Sequence, residues 1–143
     1  MHSIPRYPIV DTGPLFDFLL WRFSELVNVP ALLSNLRYLK TDIYRRSLEW
    51  YFSVAKPITT CPQVIAEIHQ HAERMHGIHL GDFWRHAQKE LSSLGLSETL
   101  VKLLEMDSDT LSLLGPTDTA FLHIAILKLS QIFPRPLIHS MLT

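Results

Sequence analysis

Apolar and polar positions along the chain follow a recurring order. A short apolar or β-branched run is followed by a turn, then by a longer stretch with apolar residues at helical spacing. Tyr7-Pro8-Ile9-Val10 reads as a strand ending at Asp11, and Thr12-Gly13-Pro14 turns the chain into a helix from Leu15 to about Val27. Pro14 suits a first helical position, where no backbone donor is needed. Leu36, Leu39, Ile43 and Trp50 recur at helical spacing and predict a second helix from about Ser34 to Phe52, with these residues as its apolar face. Ile58-Thr59-Thr60 is a β-branched run that predicts a second strand. Pro62 then opens a helix with Val64, Ile65, Ile68 and Ala72 as its apolar stripe, ended by Gly77. Further helices are predicted from about Gly81 to Ser93 and, capped by Ser97, from Glu98 to Met106. Thr110 to Leu114 reads as a third strand. Gly115-Pro116-Thr117 turns directly into a helix from Asp118 to about Ile132, apolar almost all round and so expected to be buried. Leu137-Ile138 begins a fourth strand.

Short apolar strands separated by helices imply parallel strands joined by helical crossovers, an α/β fold. No repeat or linker interrupts the 143 residues, so residues 1–143 read as a single domain. At this length a folded chain buries roughly two-thirds of its unfolded surface, enough for a core.

Three acids occupy the same phase of this pattern. Asp11 follows the first strand, Glu67 lies about two turns into the helix after the second, and Asp118 begins the helix after the third. Thr12, Thr60 and Thr117 stand beside the three turns. In an open parallel sheet, ligands bind beyond the carboxyl ends of the strands. Carboxylates crowded there would take up protons unless a cation neutralised them, and their hard oxygens suit Mg²⁺ or Mn²⁺. Such an ion activates water and stabilises a phosphoryl oxygen during displacement. Taken singly, Asp11 and Asp118 read equally well as a turn residue and a helix cap; no cap explains Glu67.

Composition narrows the classes. Hydrophobic residues make up 47% and charged ones 19%, which excludes a disordered chain. A net charge of -1 argues against a non-specific nucleic-acid coat, though not against a local basic patch. Arg37, Lys40, Arg45 and Arg46, with Tyr38 and Tyr44 nearby, form such a patch on the second helix, of the kind that attracts RNA backbones and stacks unpaired bases. The competing reading is an ordinary exposed helix face. One cysteine, Cys61, excludes an internal disulfide and a cysteine zinc knuckle, and fits a reducing, cytoplasmic compartment. The early apolar run Leu15 to Val27 is interrupted by Asp17, Arg22 and Glu25, and no membrane span or signal peptide is expected.

Ile9-Val10-Asp11-Thr12-Gly13-Pro14-Leu15, Thr60-Cys61-Pro62-Gln63-Val64-Ile65-Ala66-Glu67-Ile68 and Gly115-Pro116-Thr117-Asp118-Thr119-Ala120 resemble, in order and spacing, three motifs of the PIN-domain nucleases. The resemblance covers nearly the whole chain. It implies a three-layer α/β/α sandwich around a short parallel sheet, and metal-dependent cleavage of RNA phosphodiesters by an activated water. It implies Asp11, Glu67 and Asp118 as the catalytic, metal-binding acids, with Thr12 and Thr117 as supporting hydroxyls. Many members are the toxin of a toxin–antitoxin pair and others process RNA. The implied partners are therefore an RNA substrate and an antitoxin protein, and a homodimer is open to the chain. The family usually carries a further acid after a last strand. Leu137-Ile138-His139-Ser140-Met141-Leu142-Thr143 resembles that strand, but the fourth acid is absent. A chain cut short or a degenerate member is expected, and a non-catalytic PIN-like binding module with a weakened metal site is the alternative function.

His69, His71, His76, His79 and His86 crowd one region. Imidazole is a common zinc ligand, but no His-Glu-x-x-His pattern occurs and the residues do not converge on one helix face, so a solvated polar surface is expected.

Overall fold

The structure, a computed structural model, describes residues 8–29 and 41–132, with side chains as far as residue 127. Arg37, Tyr38, Lys40 and the expected fourth strand from Leu137 lie outside the described residues.

The fold is mostly helical around a small parallel sheet. Five helices are described: α1 (Thr12–Val27), α2 (Asp42–Val54), α3 (Pro62–Glu73), α4 (Leu80–Ser93) and α5 (Ser108–Ile132). The strands are β1 (Thr59–Thr60) and β2 (Ser97–Glu98), and one 3₁₀ turn spans Leu103–Glu105. Thr59 pairs with Ser97 and Thr60 with Glu98 in parallel register. On the other side of β1, Ile9 forms a parallel bridge to Thr59. There the Val10 amide donates to the Thr59 carbonyl (2.9 Å) and the Thr59 amide to the Pro8 carbonyl (3.0 Å). Three parallel segments therefore lie in the order Ile9, β1, β2, each followed by helical chain. This is a small α/β arrangement of the kind the alternating pattern predicts.

Helix α1 is the hub and packs against α2, α3 and α4. Asp11 caps it: its Oδ1 accepts from the Thr12 amide at 2.7 Å, satisfying one of the donors a helix start leaves open. Leu15, Phe16, Leu19, Leu20 and Phe23 then recur on the buried side. In α3 the buried positions are Val64, Ile68 and Ala72, and in α4 Phe83, Ala87 and Leu91, each set at i, i+4, i+8. Phe83 meets Phe16 edge-on at 6.3 Å between ring centroids and Phe23 at 5.6 Å, locking α4 onto α1. Each such fully buried side chain contributes about 1.5–3 kcal/mol of transfer free energy.

Several expectations are corrected. Thr110 to Leu114 is helical, in the first part of α5, not a strand. The strand that pairs with β1 is Ser97–Glu98, which the sequence pattern assigned to a cap and a helix start. The helix expected over Glu98 to Met106 reduces to the 3₁₀ turn. Helix α2 buries Leu48 and Phe52, while Ile43 is 80% and Trp50 51% exposed. The apolar face read from Ile43 and Trp50 is thus not the packed one.

The predicted turn at Gly115-Pro116 is present inside α5. Gly115 adopts φ 82, ψ 172, which breaks the helical path, and Pro116 restarts it. In the second part Ala120 and Ile124 are buried against the core, whereas Leu122 and Leu127 are partly exposed, so this part is not buried all round. The stretch Ser108–Leu127 is long and apolar enough to cross a membrane by length and composition. The break at Gly115 and the core packing of Ala120 and Ile124 give that apolar character a second use.

Candidate functional site

The first two acids are connected through one residue near the carboxyl ends of adjacent parallel segments. Asp11 ends the Ile9 segment and is exposed. The half-buried Glu67 projects from α3, which follows β1 directly. Thr12 links them: its buried hydroxyl donates to Glu67 Oε2 at 3.4 Å. Pro62 sits at the start of α3 and fixes where that helix begins, and so where Glu67 falls on it. One strand over, the Thr60 hydroxyl donates to the Val10 carbonyl at 3.0 Å and ties β1 to the segment that ends at Asp11. Two of the three threonines beside the turns therefore brace the acids.

The buried Cys61 thiol lies beneath this pair. Burial pushes its pKa up, and the negative charges of Asp11 and Glu67 push it further the same way. Both carboxylates thus act on one buried atom. A thiol held protonated is not a nucleophile, so Cys61 is a packing residue here.

Asp118 lies on α5. It is exposed, in the first turn after the Gly115 break, with Thr117 half-buried beside it. Helix α5 packs on α3, and Phe121 shares with Asp11 the lining of one cavity. Even so, among the described residues no group of three or more His, Cys, Asp or Glu is placed to hold a metal ion. Asp11 and Glu67 are linked through Thr12, and no such link to Asp118 occurs among the described hydrogen bonds.

Asp17 and Tyr44 form a neighbouring polar pair that sequence reasoning passed over as site residues. The Tyr44 hydroxyl donates to Asp17 Oδ2 at 2.7 Å. Burial raises the Asp17 pKa, while the Tyr44 hydrogen bond and the charge of His71 pull it back. The available signal was an aspartate inside the otherwise apolar run Leu15 to Leu20.

Four of the five histidines are exposed, as a solvated surface requires, but His86 is mostly buried. His79 caps α4, accepting from the Asp82 amide at 3.2 Å. His69 accepts from the Trp84 indole N–H at 3.0 Å, His71 lies 5.5 Å from the Phe16 ring, and His86 faces Glu90 at 3.7 Å. Of the basic patch, Arg45 and Arg46 are described, and both pair with Asp42, at 3.9 and 2.9 Å.

No family model matches the chain, and no curated protein or solved structure matches it.

Proposed function

We propose that the chain is a metal-dependent endoribonuclease with a PIN-like α/β/α architecture, acting on RNA phosphodiesters. The observation that carries this reading is the Asp11–Thr12–Glu67 arrangement at the carboxyl ends of neighbouring parallel segments. Two carboxylates and a hydroxyl are hard oxygen donors. They fit Mg²⁺ or Mn²⁺, ions commonly held by one or two carboxylates with water completing the shell. Asp11 and Glu67 would hold the ion, which supplies charge neutralisation and an activated water when bound. The chain's own residues do the rest. The Thr12 amide fixes Asp11 Oδ1, the Thr12 hydroxyl orients Glu67, and the half-buried setting of Glu67 limits water on its inner side. Asp118, in the first turn after the Gly115 break, is the third acid of this proposal, with Thr117 as a supporting hydroxyl. A cytoplasmic setting, an antitoxin partner and a homodimer belong to this proposal.

The test is cleavage of RNA in Mg²⁺ or Mn²⁺, with chelator as control. Asp11→Asn and Glu67→Gln should each abolish metal-dependent cleavage while the circular dichroism spectrum stays unchanged. Full activity of Asp11→Asn overturns the reading.

A specific observation favours a second reading, a non-catalytic module: Asp118 does not complete a three-acid group among the described residues. Calorimetric titration separates the two. A folded chain that takes up no Mg²⁺ or Mn²⁺ at about millimolar concentration is the module.

A further inference from the structure

Next to Asp11 lies a cavity of about 400 Å³ whose lining includes Tyr44, Ser47, Tyr51 and Phe121 as well as Asp11 itself. Outside it, Ser47 and Tyr51 also border a second, more open hollow of about 590 Å³, which Ile43, Arg46 and Trp50 complete. Two shared residues make the hollows adjoin. Together they form a track along α2 that ends on the Asp11 carboxylate. None of Tyr44, Ser47, Trp50, Tyr51 or Phe121 belongs to the three acidic motifs.

We infer that this track binds an unpaired RNA strand, with one base in the aromatic cavity beside Asp11 and a neighbouring base on Trp50. The inference rests on the endoribonuclease reading for the direction of the strand, but not for the existence of the site. Three aromatic rings around a small apolar space suit the flat face of a base, and any base offers such a face. The Ser47 hydroxyl donates to the Ile43 carbonyl at 2.9 Å and the Tyr44 hydroxyl to Asp17, and both keep lone pairs that accept from base edges. A neutral base, unlike a phosphate, can sit beside Asp11 without charge repulsion. Phosphates further along the strand then fall outside, where Arg46 stands. Asp42 engages the Arg46 guanidinium through Nε at 2.9 Å, and the side chain remains 79% exposed. A guanidinium carries five donors, so one carboxylate does not exhaust it. Trp50, 51% exposed on a helix that already buries Leu48 and Phe52, leaves half of a large ring at the surface. A cation and several aromatic rings lining one groove are features that hold single strands without reading sequence.

The experiment measures fluorescence anisotropy of a labelled RNA strand of about ten nucleotides with the full chain, in chelator so that cleavage plays no part. A strand of equal length with abasic sites throughout, and a duplex, serve as comparisons. The unpaired strand should bind roughly tenfold or more tighter than the abasic one. Trp50→Ala and Phe121→Leu should each weaken it roughly fivefold or more. Arg46→Ala should reduce the salt dependence. Trp50 is a surface position, so its variant keeps the test decisive even where Phe121→Leu perturbs folding. Equal binding of the abasic strand, or Trp50→Ala binding unchanged, overturns the inference. So does a chain that dimerises through this face, becomes monomeric on Trp50→Ala and is not dissociated by RNA. Binding with no cleavage in Mg²⁺ or Mn²⁺ sinks the nuclease reading and leaves the track standing. Cleavage by a chain that ignores the bases does the reverse.

Discussion

The Thr12 hydroxyl reaches Glu67 Oε2 across 3.4 Å, joining residues 55 apart in sequence and on different helices. Among the described residues it is the one hydrogen bond between two side chains that joins the first two acidic motifs, beside the Thr60 hydroxyl's bond to the Val10 carbonyl.

Thr12→Val keeps the shape of a buried side chain and removes its hydroxyl. A contact of 3.4 Å is long for an O–H donor, so the expected loss in stability is modest, at most about 1 kcal/mol by urea denaturation. The larger effect should be on cleavage, because Glu67 loses its orienting donor. Thr12→Ser should restore it. Equal activity of the valine and serine variants would remove Thr12 from the site.

Cys61 gives stability a definite pH dependence. Its folded pKa is raised above the ordinary 9.0, first by burial and then by Asp11 and Glu67. The folded protein therefore holds this proton more tightly than the unfolded chain. The resulting stabilisation is fully present below about pH 9 and is lost as pH rises through the folded value. Tyr51, also raised by burial, acts in the same direction at higher pH. Cys61→Ala should flatten the fall in unfolding free energy between about pH 8 and about pH 10. The native thiol should also resist a thiol reagent that modifies it readily in denaturant.

Tyr44→Phe deletes the donor to Asp17 and leaves the ring in place. The Asp17 pKa, already raised by burial, should rise further, as a carboxyl carbon titration by NMR would show. The charged form loses most, so the destabilisation should be about 1 kcal/mol at neutral pH and smaller below the Asp17 titration. A loss that does not change with pH would mean that packing, not the hydrogen bond, holds Tyr44.

Gly115→Ala isolates backbone strain. A Cβ placed there meets nothing within 4 Å, so crowding contributes nothing. The conformation, φ 82 and ψ 172, is one that only glycine adopts freely, and the cost should be of order 1–3 kcal/mol. Gly13→Ala is the matched control: a Cβ there also meets nothing within 4 Å, but the position is helical. It should be neutral or stabilising by up to about 1 kcal/mol. Thermal unfolding of the two variants compares them directly.

Elements with strong local signals were legible in the sequence. Helices α1, α3 and α4 follow their apolar spacing, and Pro62 and Gly115 mark a start and a break where their chemistry requires one. The strand at Ser97–Glu98 was not legible. Both its residues are exposed, so it carries no apolar run, and its pairing with Thr59–Thr60 comes from the crossover that delivers it there. Thr110 to Leu114 misleads for the opposite reason, because a five-residue apolar run fits a strand or a helix equally well. At the site, the Thr12 link between Asp11 and Glu67 follows from their shared place after parallel segments. The position of Asp118 was less legible, because it depends on how α5 packs beyond the break.

That break also divides α5 dynamically. Before Gly115 the residues Ser108 to Leu114 are exposed or half-buried, with Leu113 84% exposed; after it Thr119, Ala120 and Ile124 are sealed in the core. A continuous helix would transmit the anchoring of its second part to its first through the backbone ladder. Here the ladder is interrupted, so the first part can fray as a separate unit. Amide deuteration should reach residues 111–114 by local opening, well before it reaches residues 120–127, which wait for global unfolding. One glycine thus sets which end of α5 a protease or a chaperone would meet first.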